Sequence, residues 1–167
     1  SVGKTTLVNA LKELDQFKGY KFATERSQHL MSLGIPLNTD STLKGQTVFL
    51  AERCGELMHD NIITDRTILD VMAFTMNAKS IPYQDKEAFE TYASEFIREY
   101  DYIFYISPHG LEIEDNGVRE TDEHYRDLID FTITTLIKRH GHKAGAIEKI
   151  SGSTEERIQQ ILNVTKL

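Results

Sequence analysis

The sequence predicts an α/β domain, a parallel sheet covered by helices on both faces. Short apolar stretches alternate with amphipathic ones along the whole chain, the pattern of parallel strands joined by helical crossovers. Polar groups close three of the apolar stretches, at Glu25-Arg26, Asp65-Arg66 and Ser107-Pro108-His109. In open α/β sheets, ligands bind at the carboxyl ends of the strands. The chain also opens on Ser-Val-Gly-Lys-Thr-Thr, followed at once by the helical pattern Leu7-Val8-Asn9-Ala10-Leu11.

That opening is the second half of a phosphate-binding loop, G-x-x-x-x-G-K-[ST]. Gly3, Lys4 and Thr5 fill its last three positions. Backbone N–H groups of such a loop form a concave anion site, and the following helix N-terminus adds partial positive charge. Gly3 lets the main chain approach the phosphates. Lys4 is expected to reach the β/γ-phosphates and the Thr5 hydroxyl to ligate Mg²⁺. Ser1, Val2 and Thr6 complete the nucleotide-binding candidates. The motif's first glycine and its leading strand are expected within roughly ten further residues upstream of Ser1.

Each element follows from local pattern. Lys4 to Leu14 reads as a helix, and Tyr20 to Thr24 alternates as a strand. Arg26 to Leu33 reads as a short helix stopped by Gly34 and Pro36. Thr39-Asp40-Ser41 offers N-cap residues for a long helix ending near His59. Asn61 to Thr64 is a short buried-type strand, and Leu69 to Met76 a helix broken by Ser80-Ile81-Pro82-Tyr83. Asp85 to Tyr100 is helical. Tyr102 to Ile106 is the clearest strand, ended by Ser107-Pro108. A polar connection from His109 to Asp122 contains the turn signal Asn116-Gly117. A long helix from His124 to Arg139, a last strand from Gly145 to Ile150, and a helix from Thr154 to Val164 complete a single domain.

Composition narrows the function classes. A chain of 167 residues, 40% hydrophobic, can bury a core and is not a disordered composition. The net charge of −7 argues against a general nucleic-acid surface but leaves room for a nucleotide pocket served by a few arginines and Mg²⁺. No apolar run approaches the ~20 residues that span a bilayer. Cys54 is the single cysteine, so no internal disulfide framework is expected, and a reducing cytoplasm fits.

With the phosphate loop, the three strand-end groups would ring one crevice. Asp65 or Glu25 there can organise Mg²⁺ or take a proton from a substrate hydroxyl. Arg26 and Arg66 are candidate substrate contacts; read alone, such pairs are ordinary surface ion pairs. Arg119 and Arg126, between the third strand and a long helix, suit a lid that stabilises the transferring phosphoryl group and excludes water. The plain alternative is a solvated loop paired to Glu120, Asp122 and Glu123. Gly152 and Ser153 follow the last strand, where a loop would cup the adenine; a capping box ending at Glu156 accounts for the same residues. His140-Gly141-His142 reads as a polar helix cap rather than a metal pair. Tyr83, Phe89, Tyr92 and Phe96 read as a core stripe, with Tyr83 the one candidate substrate contact.

Gly3-Lys4-Thr5-Thr6, Thr24-Glu25-Arg26, Thr64-Asp65-Arg66 with Asp70, Tyr100 to Tyr105, Gly117 to Asp122, Tyr125-Arg126 and Gly152 to Arg157 occur in that order. Together they resemble the AAA-type ATPase/kinase group that includes the nicotinamide riboside kinase domain of bifunctional NAD-biosynthesis regulators. The Asp-Arg after a strand is also similar to that of deoxynucleoside and thymidylate kinases. The resemblance implies a P-loop NTPase fold, α/β/α in three layers, with strand order 2-3-1-4-5 and the first strand absent from this chain. It implies ATP and Mg²⁺ held by Lys4, Thr5 and Asp65, lid arginines at Arg119 and Arg126, and a small-molecule nucleoside or nucleotide as acceptor. Glu25 is expected as general base, with Asp65 exchangeable in that role. The alternative is a nucleotide-binding sensor without phosphotransfer. A GTPase reading lacks the guanine-reading Asn-Lys-x-Asp.

Overall fold

In the computed structural model, residues 3–24, 27–108 and 123–167 are described. The elements in order are α1 (Lys4–Lys12), β1 (Lys21–Ala23), α2 (Ser27–Ser32), α3 (Leu43–Glu56), β2 (Ile62–Thr64), α4 (Ile68–Asn77), α5 (Tyr83–Ala93), β3 (Tyr102–Tyr105), α6 (Glu123–His140), β4 (Ala146–Lys149) and α7 (Thr154–Thr165). The candidates Ser1, Val2, Glu25, Arg26 and Arg119, and the connection 109–122, lie outside the described residues.

All described strand pairing is parallel. β1 pairs with β2, Lys21 opposite Ile62 and Ala23 opposite Thr64. β3 pairs with β4, Tyr102 opposite Ala146 and Tyr105 opposite Lys149. The two pairs are separate sheets. The expected order, without strand 1 in the chain, leaves the pairs 2-3 and 4-5, and those are the pairs observed.

Successive strand residues face opposite layers, as the pleat requires. On β3, Ile103 joins a core with α3, α4, α5 and α6, while Phe104 joins a second core with α1, α7, Phe22 and Ile63. Helices therefore cover both faces. α4 is the hub of the larger layer. Its Ile68, Leu69, Val71, Met72 and Ala73 are all buried, as expected for a helix apolar on every side. Its start is fixed by a capping box. The Thr67 N–H donates to Asp70 Oδ2 at 2.8 Å, the Leu69 N–H donates to Thr67 Oγ1 at 3.2 Å, and the Ile68 N–H donates to the buried Tyr100 hydroxyl at 3.2 Å.

Some boundaries differ from expectation. α3 is capped by Thr42, whose Oγ1 accepts from the Gly45 N–H at 3.1 Å; Asn38–Asp40 instead form a tight 3₁₀ turn. Ser41 is fully buried and does not cap: its carbonyl accepts from Ser80 Oγ at 2.7 Å, and its own hydroxyl has no partner among the described residues. α5 begins at Tyr83, directly after Pro82, whose missing N–H is harmless at a helix start. It tightens into a 3₁₀ helix at Ser94–Glu99, where Ser94 Oγ donates to the Thr91 carbonyl at 3.0 Å and accepts from Lys143 Nζ at 2.8 Å.

Two features predict stability effects. A Cβ at Gly145 would run into the backbone carbonyl of Asp101, where β3 and β4 begin to pair, whereas one at Gly55 meets nothing within 4 Å. Gly145→Ala should lose about 1–3 kcal/mol in urea unfolding, by overpacking against backbone. Gly55→Ala, in a helix, should be neutral or gain up to ~1 kcal/mol.

The second feature is Glu90, which is 7% exposed and accepts from Arg139 Nη1 at 2.5 Å and His140 Nε2 at 2.8 Å, tying α5 to α6. Burial pushes its carboxyl up, but the hydrogen bonds from His140 and Arg139 and their charges outweigh it. The net position is below the ordinary 4.5. A carboxylate lowered in the folded state stabilises above its unfolded value and loses that contribution as pH falls through the folded one. The stability advantage of wild type over Glu90→Gln should therefore be full near neutrality and shrink as pH falls from the ordinary 4.5 through the lowered folded-state position. Urea unfolding as a function of pH measures this; a gap independent of pH would contradict it.

Candidate functional site

The site forms where the start of α1 meets the carboxyl end of β2. Gly3 precedes α1 in a left-handed conformation, φ +72°, and its carbonyl accepts from the Leu7 N–H at 2.9 Å. The first N–H groups of α1 have no partner within the helix, which leaves partial positive charge at Lys4 and Thr5. Thr5 Oγ1 donates to Asp65 Oδ2 at 2.5 Å, across 60 positions of sequence.

Asp65 is 2% exposed, and its backbone is held from two sides. Its N–H donates to the Ala23 carbonyl at 2.8 Å, and its carbonyl accepts from the buried Arg53 Nη1 at 3.2 Å. Its second carboxylate oxygen, Oδ1, is buried and has no hydrogen-bond partner among the described residues. An unpartnered buried acceptor is costly and calls for a donor or a cation. The hydroxyl of Thr5 and the carboxylate of Asp65 are hard oxygen donors of the kind Mg²⁺ takes. These residues therefore fit the ion that the sequence suggests. Among the described residues, no group of three or more His, Cys, Asp or Glu is placed to hold a metal.

Arg66 sits next in the same turn with φ +78°, unusual for a residue with a side chain. Such a conformation costs on the order of 1–3 kcal/mol and concentrates at functional sites. Thr64 Oγ1 stabilises it by donating to the Arg66 carbonyl at 2.9 Å. The Arg66 guanidinium carbon lies 5.3 Å from the centre of the Phe74 ring, and its Nε is buried without a partner among the described residues.

A cleft opens from this junction; its volume of about 560 Å³ includes the gap between the two strand pairs, the place of the first strand in the order 2-3-1-4-5. Lys4, Thr5, Asp65, Arg66 and Asp70 line its polar end. Gln46 and Phe49 of α3 and Phe74 of α4 form one wall, and Tyr105, Arg126 and Asp130 form another. The cleft continues between the strand pairs along Leu7, Val8, Ile63 and Ile103. Gln46 is 3% exposed, yet no hydrogen bond engages its carboxamide among the described residues. Gln46, Phe49 and Phe74 were not legible as site residues, because each sits inside an apolar helical pattern with no motif around it. The buried glutamine in such a pattern was the one available signal.

Arg126 lies one turn before Asp130 on α6, half-buried and 3.3 Å from Asp127 Oδ1. Asp130 Oδ1 accepts from the Tyr105 hydroxyl at 2.6 Å, fixing α6 to the end of β3. Burial, reinforced by that bond, pushes the Tyr105 phenol up to about 12, so it stays a neutral donor.

Other expected residues are not brought here. Tyr83 is 68% exposed on the first turn of α5, and its hydroxyl donates to Glu87 Oε1 at 2.7 Å. The inward face of that helix belongs to Phe89 and Ala93, which leaves Tyr83 and Tyr92 outside. Tyr83 does not line the cleft. Gly152 and Ser153 do not line it either. Ser153 Oγ accepts from the Glu156 N–H at 3.2 Å and its N–H donates to Glu156 Oε2 at 2.7 Å, so the capping box holds. Gln160 engages both the N–H and the carbonyl of Ser151, at 3.3 and 2.8 Å. Thr6 is exposed on α1. His140 is committed to Glu90 rather than to a metal.

Comparison with known proteins fits this geometry. Among solved structures, a deoxyadenosine kinase from M. mycoides, determined with the products dCMP and a flexible dCDP bound, is similar over 99% of this chain and 93% of that one. The TM-score is 0.65 and the identity 18%, a likeness of fold. No curated protein matches. The α/β/α layering, the parallel pairs and the phosphate loop at the start of α1 are those of a P-loop NTPase fold. Residues 1–157 match the family described as AAA domain, and the chain belongs to that family.

Proposed function

We propose that this domain binds ATP with Mg²⁺ and transfers the γ-phosphoryl group to a nucleoside or nucleotide. The observation that carries the reading is the junction at Asp65. A buried carboxylate holds the loop threonine with one oxygen, leaves the other unpartnered, and borders a space that Lys4 and Arg66 also line. The kinase fold of the similar structure supports the reaction class.

In this reading Lys4 and the N–H groups at the start of α1 hold the phosphates, and Thr5 with Asp65 holds Mg²⁺. The ion, when bound, neutralises phosphate charge. The acceptor lies against the α3–α4 wall. Phe49 and Phe74 offer apolar contact to a flat ring, and the Gln46 carboxamide offers one donor edge and one acceptor oxygen. A nucleobase or a nicotinamide ring presents complementary groups, so nicotinamide riboside stands among the candidate acceptors. Arg66 faces the same space from β2, Arg126 borders it from α6, and Glu25 and Arg119 complete the proposal as base and lid arginine. In-line transfer needs such positioning and charge stabilisation more than covalent chemistry. Among the described residues no helix is long and apolar enough to cross a membrane, which suits an acceptor met in solution.

The test is ADP release by the full-length protein across a panel of nucleosides and nucleotides. Acceptor-dependent release is expected. ATP binding without it would assign a sensor instead. Lys4→Ala should weaken ATP binding by about tenfold or more in calorimetry, the loss of charge-assisted phosphate contacts. Gln46→Leu should raise the acceptor KM by about tenfold while leaving ATP affinity unchanged. Arg126→Ala should cut kcat by roughly 10²-fold, because that contact matures in the transition state. Equal effects of Gln46→Leu on both substrates would place the acceptor elsewhere.

A further inference from the structure

We infer that Arg157 is a phosphate-binding residue of this same site, delivered from α7 to the start of α1. The inference rests on the nucleotide-binding reading above and adds a residue from the opposite side of the loop.

Arg157 occupies the first complete turn of α7, where its N–H donates to the Ser153 carbonyl at 3.0 Å. That turn is unusually well fixed. The Ser153–Glu156 capping box closes it, and the two bonds from Gln160 to Ser151 clamp the loop before it. A side chain from this turn therefore has a defined origin. Arg157 is only 9% exposed, because α7 packs against α1, with Ile161, Leu7 and Leu11 in one apolar cluster. Its guanidinium ends at the phosphate loop: a Cβ built on Gly3 would lie 3.4 Å from Arg157 Nη1. Gly3 is constrained by its left-handed φ of +72°, and the guanidinium lies within ordinary contact of where its Cβ would be.

A guanidinium enclosed between two helices is retained at the expense of its hydration, which favours strong anionic partners. Its position adds a third positive element to the point where the α1 dipole and Lys4 already converge. A cation there adds a charge-assisted contact to a bound phosphate. In the loop 151–153, the Ser151 backbone is held by Gln160 and the Ser153 N–H and hydroxyl by the capping box. The contribution of the β4–α7 segment to the nucleotide is therefore a side chain one turn into the helix. Polyphosphate is the ligand class recognised.

The test is calorimetry of ATP and of inorganic triphosphate on full-length wild type, Arg157→Gln and Arg157→Lys, with apo melting temperatures alongside. Arg157→Gln should weaken both ligands by about tenfold or more, and Arg157→Lys should recover most of that loss. Wild-type affinity in Arg157→Gln would overturn the inference and leave the nucleotide reading standing. So would equal losses in both variants that track a lowered melting temperature, since that is the behaviour of a packing residue. Failure of wild type to bind either ligand would instead remove the nucleotide reading, and this inference with it.

Discussion

The bond from Thr5 to Asp65 is the constraint on which the rest of the molecule depends. It joins the first turn of α1 to the end of β2 at 2.5 Å and 60 residues apart. Asp65 can serve because its backbone is immobilised by Ala23 on the neighbouring strand and by Arg53 on α3. The carboxylate is nearly sealed from solvent, with one oxygen in use and the other unpartnered. Four elements, α1, β1, β2 and α3, thus meet at one ionisable group. A buried charge held that way is poorly explained by stability alone, since an apolar substitute would serve packing as well.

Parallel pairing turns that local contact into a site. β1 and β2 run the same way, so Thr24 and Asp65 leave the sheet at the same end. β3 and β4 obey the same rule, which brings Tyr105 and, through Asp130, the start of α6 toward the cleft. α1 and α7 lie on one face with the phosphate loop between them, and α3, α4 and α6 lie on the other with the wall that contains Gln46 and Phe74. The strained turn at Arg66 sits between these faces. Its conformation aims a guanidinium at Phe74 rather than at solvent.

Much of this was legible in the sequence, for identifiable reasons. Strands such as Tyr102 to Ile106 are short, apolar and bounded by breakers, so their existence did not depend on tertiary context. The Thr5–Asp65 bond joins a residue that the phosphate-loop motif singles out to one that its place at a strand end singles out. What could not be read was decided by packing. Ser41 was a plausible cap, but the helix begins one residue later, with Thr42 as cap and Ser41 buried beside Ser80. Tyr83 was plausible in the cleft, but the α5 stripe turns Phe89 inward and Tyr83 out. Gln46 and Arg157 each occupy a helix face that looks ordinary in sequence. Their meaning lies in what they adjoin, the same space as Phe74 for Gln46 and Gly3 for Arg157.

Anomalous diffraction from crystals of the full-length protein grown with ADP and Mn²⁺, a hard-oxygen stand-in for Mg²⁺, tests the role of this junction most directly. The expected result is one manganese peak bound by Thr5 and Asp65, with the β-phosphate at the start of α1. Nucleotide bound with manganese remote from Asp65, and the Thr5–Asp65 bond unchanged, would contradict it.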